Sequence, residues 1–174
     1  MRNIVLKIGA NLEIMNDVYI LLGGNLGDKS KIFEETRKHI AESIGTITKR
    51  SSVYVTEAWG FESEPFWNQA LLSKTTLPPH ELMKQTQAIE IMMGRIKHTD
   101  QYEARPIDID ILFYADLQLN TMNLTIPHPK IGDRRFVLVP LNEIAPDMIH
   151  PVTGLTIKAM LMQCTDGLKV ERID

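Results

Sequence analysis

Hydrophobic and polar positions along this chain alternate with the two-residue period of a β-strand in some segments and follow the helical period in others. The first convincing strand covers residues 18–22, and the turn-forming cluster 23–28 follows it. An apolar face from Phe33 to Ile44 at helical spacing then predicts a helix, which Gly45 ends. The pattern therefore begins with a β-turn-α unit.

The same kind of pattern predicts two more strands and a second helix. Residues 46–56 alternate as a strand, 57–65 form a loop that contains glycine and proline, and 66–77 form another strand. Two consecutive prolines then open a helix, because proline suits a first helical turn, and Gly94 ends its apolar stripe. A polar loop over 95–105 leads into the last strand of the core.

The most informative segment is the run over 105–112, where two carboxylates alternate with three isoleucines. On a strand Asp108 and Asp110 share one face, roughly 7 Å apart, and the isoleucines occupy the other face. At an effective dielectric of about 20 the two charges repel by roughly 2 kcal/mol, which a cation would offset. Hard oxygen ligands favour Mg²⁺ over zinc, and Mg²⁺ commonly joins carboxylates to substrate phosphates. The segment thus indicates phosphate chemistry on a nucleotide.

A structural explanation of the same two aspartates stays open. Both carboxylates could lie on a solvated face of the sheet and balance nearby arginines such as Arg105. In that case the segment would be an ordinary half-buried strand without a metal ion.

The order of the predicted elements is β-α-β-β-α-β, which is that of a ferredoxin-like sandwich of the α+β class. Residues 115–174 add C-terminal elements to it: a short strand pair around 117–120, a loop over 125–134 and one or two helices. We expect a single domain over 17–174, preceded by an N-terminal extension, residues 1–16, to which we assign no function.

Composition narrows the class of protein. The 174 residues are 44% hydrophobic and 24% charged, as in one globular domain. A net charge of −3 and a pI near 6.0 argue against nucleic-acid binding by phosphate neutralisation, so we expect small-molecule partners and no nucleic acid. No apolar run approaches the roughly 18 residues of a membrane span, and the single Cys164 excludes an internal disulfide. We therefore expect a cytoplasmic monomer with no membrane association.

The glycine-rich run after the first strand does not fit a P-loop. Lys29-Ser30 follows it, but Asp28 stands where a P-loop needs the glycine before its lysine. We expect the glycines to turn the chain and Asp28 to cap the helix that follows.

Several polar groups lie close to the aspartate strand in sequence. Gln87 and Glu90 are three residues apart and share a helix face, and the loop that follows carries Arg95, Lys97 and Arg105. Guanidinium groups at such positions could bind phosphate oxygens in a bidentate manner. A helix face of this kind is also compatible with a merely solvated surface.

Five motifs stand in order along the chain. They are Gly23-Gly24-Asn25-Leu26-Gly27, Phe66-Trp67-Asn68, Gln87-x-x-Glu90-x-x-x-Gly94-Arg95, Arg105-Pro106-Ile107-Asp108-Ile109-Asp110 and Pro127-His128. Together they resemble 6-hydroxymethyl-7,8-dihydropterin pyrophosphokinase, a family of folate biosynthesis. The resemblance implies transfer of diphosphate from ATP to the hydroxymethyl group of the pterin, which gives AMP, with two Mg²⁺ ions held by Asp108 and Asp110.

The resemblance also implies which residues bind each substrate. Those expected to contact ATP are Gln87, Glu90, Arg95, Lys97, Arg105, Ile111, Thr125, His128 and Arg134. Those expected to bind the pterin are Thr56, Trp59, Phe66, Asn68, Tyr102 and Phe136. Those expected to act in catalysis are Arg95, Arg105, Asp108 and Asp110. The pterin would lie stacked between two phenylalanine rings, and the loops 57–65 and 95–105 would close over both substrates.

Two other functions stay open. A sheet with this element order could present aromatic residues to single-stranded RNA, although that function favours a basic and open sheet face. The same two aspartates could also serve a different metal-dependent phosphotransferase or nucleotidyl transferase that acts on another acceptor.

Overall fold

The computed structural model describes residues 4–8, 11–57, 63–95 and 104–173. Within these ranges seven antiparallel strands form one sheet, and two short strands form a separate pair. The strands are β1 (Ile4–Ile8), β2 (Asn11–Gly24), β3 (Thr46–Arg50), β4 (Tyr54–Thr56), β5 (Phe66–Thr75), β6 (Asp108–Tyr114), β7 (Leu119–Asn120), β8 (Thr125–Ile126) and β9 (Val170–Arg172). The small pair is β7 with β8, and β2 lies in the large sheet between β5 and β6.

Four helices accompany the sheet in the described part of the chain. They are α1 (Lys29–Ser43), α2 (Pro79–Met92), α3 (Arg135–Ile144) and α4 (Ile157–Gln163). The prediction for the start of α1 is confirmed, because the Asp28 side chain accepts a hydrogen bond from Lys31 N at 3.1 Å. α2 begins with Pro79 and ends before Gly94, whose φ of 87° suits glycine. No described helix is long and apolar enough to cross a membrane.

The alternation along β2 buries both of its faces. Val18, Ile20 and Leu22 pack with apolar residues of α1 and α2, whereas Tyr19 and Leu21 pack with residues of α3 and α4. The sheet therefore lies between two helical layers, each with its own core. Helices thus cover the sheet faces that an RNA-binding module with exposed aromatic residues would use.

β2 is longer than the predicted strand 18–22, because it begins at Asn11 and crosses from the expected N-terminal extension into the core. Its first half pairs with β1, which the sequence pattern did not predict. Asp17 lies opposite Lys74 of β5, and the Lys74 Nζ is 2.6 Å from its carboxylate. Backbone pairing thus extends this strand beyond its apolar positions. The division of the chain into an N-terminal extension, 1–16, and one domain, 17–174, stays a prediction.

The segment predicted as one strand over 46–56 is two strands, β3 and β4, which both pair with β5. Between them Ser51 N donates to Ala70 O at 2.8 Å, and Ser51 Oγ accepts from Ala70 N at 2.9 Å. At this break between β3 and β4, the serine hydroxyl accepts the hydrogen bond that a backbone carbonyl would accept in a continuous strand. Because the residues around it keep an alternating pattern, the sequence does not reveal the interruption.

The prediction that Gly23 and Gly24 form a turn is wrong, because both lie inside β2. A close backbone contact explains the second glycine: a Cβ atom on Gly24 would lie 2.2 Å from Pro106 O. The turn comes later, at Gly27, whose φ is 72°. The contact brings the end of β2 against the residues just before the aspartate strand.

The C-terminal part contains the predicted helices and short strand pair, and it differs from the prediction in two places. β8 occupies the start of the segment predicted as a loop over 125–134. β9 was not predicted and pairs with β4, so that Val170 lies opposite Thr56. Strands of two or three residues are too short for their alternation to stand out in the sequence.

Candidate active site

Strand β6 holds the two aspartates as its alternation predicts. Ile107, Ile109 and Ile111 are buried in the core below α1 and α2, and Asp108 and Asp110 lie on the opposite face. Both carboxylates line two neighbouring cavities rather than an open solvated surface. The strand therefore uses its apolar face for stability and its polar face for a site.

Arginines surround Asp108, as the structural explanation of the aspartates also expected. Arg105 Nη1 lies 2.9 Å from Asp108 Oδ2, and Arg95 Nη1 contacts Asp108 Oδ1. The same Arg95 atom contacts Glu90 Oε1, which accepts a hydrogen bond from Ile109 N at 2.8 Å. Glu90 is therefore not part of a solvated helix face, because it is 4% exposed and joins α2 to β6.

Two carboxyl groups of this cluster have raised pKa values. Burial, followed by the charge of Asp108, raises the pKa of Asp110 to about 7. The same two causes, in the same order, raise the pKa of Glu90 to about 7. The arginines only partly offset these effects. The positive charge of the arginines therefore does not fully compensate the carboxylates, and an additional cation beside Asp110 would be favourable.

The first cavity has a volume of about 150 Å³ and aromatic walls. Its predicted lining residues are Thr56, Phe66, Asn68, Arg105, Asp108, Asp110, His128, Arg134 and Phe136. Asn68 Nδ2 donates to Thr56 Oγ1 at 3.0 Å, and both side chains are buried. The Arg105 guanidinium lies 5.8 Å from the Phe66 ring centre, and that of Arg134 lies 5.5 Å from the Phe136 ring centre.

The second cavity is larger, about 440 Å³, and lies between α2, β6 and the segment around β8. Its predicted lining residues are Gln87, Glu90, Arg95, Asp108, Asp110, Ile111, Thr125 and His128. Asn123 and Pro129 also line it, and so do four residues that the sequence did not point to, namely Met83, Thr86, Met122 and Leu124. Arg105 and Arg134, both expected to contact ATP, line the aromatic cavity instead.

His128 lines both cavities and is held in one protonation state. Its backbone N donates to Leu112 O at 3.0 Å, and its Nδ1 accepts from Lys130 N at 3.2 Å. Burial, together with the charges of Arg134 and Lys130, lowers the pKa of His128 to about 4. The ring is therefore neutral near pH 7, and because Nδ1 accepts, Nε2 carries the proton and can donate.

Three predicted residues lie outside the described residues. They are Trp59, Lys97 and Tyr102. The same holds for parts of the two loops that were expected to close over the substrates, namely 58–62 and 96–103.

Asn25 is a site-supporting residue for which the sequence reasoning gave no role. Its side chain is 1% exposed, and its Nδ2 donates to Ser63 Oγ and to Glu64 O, both at 2.9 Å. Its Oδ1 accepts from Arg105 N at 2.9 Å. One amide thus ties the end of the loop 57–65 to the arginine that contacts Asp108. The sequence signal that could have identified this residue is an asparagine that directly follows a strand and two glycines.

The described residues contain no group of three or more histidine, cysteine or acidic side chains arranged to enclose a metal ion. The site instead offers the two carboxylates of Asp108 and Asp110, at the junction of two cavities. Mg²⁺ is commonly held by one or two carboxylates together with substrate phosphates, so this donor set fits that ion.

Comparison with known proteins gives matches along most of the chain. The family model described as 7,8-dihydro-6-hydroxymethylpterin-pyrophosphokinase matches residues 19–146. The 2-amino-4-hydroxy-6-hydroxymethyldihydropteridine pyrophosphokinase of Methylorubrum extorquens is 36% identical over 162 residues, which cover 92% of this chain and 100% of that relative. The protein of the same name from Aquifex aeolicus is 40% identical over 145 residues, which cover 83% and 89% of the two chains.

Other relatives are much longer than this chain. The folic acid synthesis protein fol1 of Pneumocystis carinii is 37% identical over 150 residues, which cover 86% of this chain and 20% of that protein. A crystal structure of Plasmodium falciparum HPPK-DHPS with pteroate has a similar fold, with a TM-score of 0.68 at 18% identity, over 86% of this chain and 42% of that one. This chain therefore spans only a part of these larger proteins. Since the family model matches most of the chain and the bacterial relatives are covered along nearly their whole length, the chain belongs to the 7,8-dihydro-6-hydroxymethylpterin-pyrophosphokinase family.

Proposed function

We propose that this protein transfers diphosphate from ATP to the hydroxymethyl group of 6-hydroxymethyl-7,8-dihydropterin and releases AMP and the pterin diphosphate, a step of folate biosynthesis. The observation that carries the proposal is the meeting of two unlike cavities at Asp108, Asp110 and His128. One cavity suits a flat heterocycle and the other suits a polyanionic chain. A reaction between two such substrates requires this arrangement, because the reacting groups must meet where the cavities join.

The aromatic cavity is the proposed pterin site. Its two phenylalanines, Phe66 and Phe136, offer flat faces for stacking, and Asn68 with Thr56 offers an amide and a hydroxyl for the polar edge of the ring. We assign Trp59 and Tyr102 to the same site because of the family resemblance. The buried Asn68–Thr56 hydrogen bond fixes the orientation of both groups before the ligand arrives.

The larger cavity is the proposed ATP site. Arg95, which lines this cavity, and Lys97 would neutralise the phosphates together with Arg105, which lines the aromatic cavity and contacts the shared Asp108. Gln87, Ile111 and Thr125 line the space for the rest of the nucleotide. Arg105 Nε is buried and has no hydrogen-bond partner among the described residues. This donor is therefore available for an oxygen of the transferring group. Glu90 and His128 also line this cavity, whereas Arg134 lines the aromatic cavity and would reach the nucleotide only where the two cavities join.

Two Mg²⁺ ions would be held by Asp108 and Asp110. The fit is supported by the oxygen donors on one strand face and by the raised pKa of Asp110, which reflects burial and the nearby charge of Asp108. When bound with the phosphates, such ions neutralise the negative charge that develops on the transferring group. The chain itself needs no nucleophilic side chain for this reaction, since its residues bind, orient and exclude water.

We also propose the finer assignments of fold, assembly and location. The strand neighbours β6, β2, β5 and β3, with α1 and α2 as crossovers, support a ferredoxin-like arrangement of the core. The two cores within one chain support a monomer, to be checked by sedimentation. The unpaired Cys164 agrees with a reducing cytoplasmic compartment. Small-molecule substrates are the proposed partners, without nucleic acid or membrane.

Analysis of the nucleotide product tests the proposal. The protein is incubated with ATP, Mg²⁺ and 6-hydroxymethyl-7,8-dihydropterin, and the products are separated by chromatography. AMP together with the pterin diphosphate is the expected result. ADP as the nucleotide product, or ATP turnover that does not depend on the pterin, would instead support another metal-dependent phosphotransferase and overturn the assignment.

A further inference from the structure

The C-terminal segment, residues 164–172, contacts both walls of the aromatic cavity. Asp166 Oδ2 accepts a hydrogen bond at 2.8 Å from Arg135 N, at the start of α3. A few residues later Val170 of β9 lies opposite Thr56 of β4. The segment therefore reaches the helix on one side of the cavity and the strand on the other.

This segment lies beyond residues 19–146, which the family model matches. The segment is held by more than exposed ion pairs. The hydrogen bond from Arg135 N to Asp166 is partly buried and joins residues 31 positions apart in the sequence. A second bond holds the aspartate in place, since its Oδ1 accepts from Leu168 N at 3.0 Å. The carboxylate is thus oriented toward the start of α3 by its own loop.

Helix α3 has no capping side chain of its own. Arg134 stands at the N-cap position, and its side chain makes no capping hydrogen bond. The first N–H groups of a helix lack partners within the helix, and a negative charge near them is favourable because of the helix dipole. Asp166 supplies both the acceptor and the charge from a distant part of the chain.

The first turn of α3 carries two residues of the aromatic cavity. Arg134 and Phe136 stand on either side of Arg135, both line the cavity, and the guanidinium of Arg134 lies 5.5 Å from the Phe136 ring centre. Any tilt or fraying of this turn would move both side chains. We propose that Asp166 is a positioning residue that fixes the first turn of α3 and so places Phe136 and Arg134 for the flat ring of the substrate. The inference deepens the proposed function and rests on it for the identity of the ring.

Binding of each substrate to Asp166→Ala tests the role. We expect affinity for 6-hydroxymethyl-7,8-dihydropterin to fall about fivefold to tenfold, because losing a cap shifts the folding equilibrium of a helix by a factor of this order and the ring needs the folded turn. Affinity for a non-hydrolysable ATP analogue with Mg²⁺ should change less than about twofold. Titration calorimetry measures both. Asp166→Asn keeps an oxygen that can accept from Arg135 N, so it should restore most of the pterin affinity.

The matched control is Asp28→Ala, which removes an aspartate cap from α1 on the other side of the sheet. It should leave the ratio of the two affinities unchanged. Equal losses for both ligands in Asp166→Ala, or the same selective loss in Asp28→Ala, would overturn the positioning role and leave a general effect on folding.

Amide hydrogen exchange separates this inference from the proposed function. In Asp166→Ala, without any ligand, the amides of residues 135–138 should exchange faster, while those of α2 stay unchanged. Unchanged exchange at 135–138, or faster exchange with normal pterin affinity, would contradict the inference. If the wild-type protein binds no pterin, the proposed function fails, and the exchange result still decides whether Asp166 holds this turn.

Discussion

The two cavities that share Asp108, Asp110 and His128 differ in nearly every other respect. The aromatic cavity has about a third of the volume, 150 Å³ against 440 Å³, and its walls come from β4, β5 and the start of α3. The larger cavity is lined by α2, β6 and the chain around β8, with several charged and polar groups. The aromatic cavity is built by the packing of elements that are distant in the sequence. The larger cavity is built mainly by α2 and β6, which follow each other along the chain.

Because of this difference, we expect the two proposed substrates to be recognised by different interactions. A narrow cavity with fixed aromatic and amide groups selects a rigid ring by shape and hydrogen bonds. The wide cavity, which is lined by Arg95 and has Arg105 beside it at Asp108, would select a flexible polyanion mainly by charge. In the proposed function the shared aspartates serve the step at which the two substrates react. Experiments that change one cavity at a time should therefore separate binding of the ring, binding of the nucleotide, and turnover.

The largest effect is expected at the shared aspartates. Asp108→Ala and Asp110→Ala should each lower kcat by on the order of a hundredfold or more, because the proposed ions lose a carboxylate ligand that acts on the transferring group. Steady-state AMP production measures this, with circular dichroism to show that the fold persists. Asp116→Ala, outside both cavities, is the control. Near-normal kcat in both site variants would contradict the metal-binding role.

A reciprocal pair of variants tests the separation of the cavities. Asn68→Ala should weaken pterin binding by on the order of tenfold to a hundredfold, because a buried hydroxyl of Thr56 also loses its partner, while ATP-analogue binding stays within about twofold. Gln87→Ala should do the reverse, with a smaller loss since Gln87 is exposed. Calorimetry with each ligand gives both ratios. Similar losses for both ligands in either variant would argue against two separate sites.

The affinity for Mg²⁺ should depend on pH around neutrality. Asp110, with a pKa of about 7, must lose its proton to bind a cation, so Mg²⁺ affinity falls as the pH decreases through 7. At pH 6 only about one carboxyl in ten is ionised, which predicts roughly tenfold weaker binding than at pH 8. Calorimetry with Mg²⁺ alone measures this.

A variant of the neighbouring carboxylate sharpens the pH experiment. Asp108→Asn removes the like charge that contributes to the raised pKa of Asp110, so the pH at which Mg²⁺ affinity falls should move to lower values. A wild-type affinity that is constant between pH 6 and pH 8 would show that Asp110 does not take part in binding the ion.

The smallest effect is expected from Asn25, which supports Arg105 between the cavities without lining either. Asn25→Ala should lower kcat/KM by about fivefold for both substrates alike, because Arg105 loses a backbone anchor. Steady-state kinetics with each substrate varied in turn checks this. Asn16→Ala, which removes an exposed hydrogen bond to Ile14 O, is the control. A loss confined to one substrate would assign Asn25 to that cavity alone.

Much of the fold follows from periodicity because the apolar positions repeat regularly. The helix from Lys29 and the strand with Asp108 have such patterns, and both form where the sequence predicts them. The strand β1, which pairs with the next strand along the chain, was not predicted. The break at Ser51 and the strand β9 were not predicted either, since each depends on backbone pairing with a strand distant in sequence. Local patterns contain no information about such partners.

The site shows the same division. The carboxylate pair, the arginines and the paired phenylalanines could be named from the motifs, and they lie around two adjoining cavities. The burial of Glu90 against Ile109 and the placement of Arg134 in the aromatic cavity could not be named, because they depend on how α2 and α3 pack against the sheet. Loop residues such as Asn25 have no periodicity that would reveal their partners.

By itself the sequence determined the alternation of Asp108 and Asp110 with buried isoleucines, and hence a core strand with two like charges on one face. Only the tertiary structure decided that these charges lie between two different cavities and that Arg95 and Arg105 both reach Asp108. The physical reason is range. Side-chain period is fixed by the local backbone, whereas the electrostatic environment of a carboxylate depends on groups that only folding brings within a few ångströms.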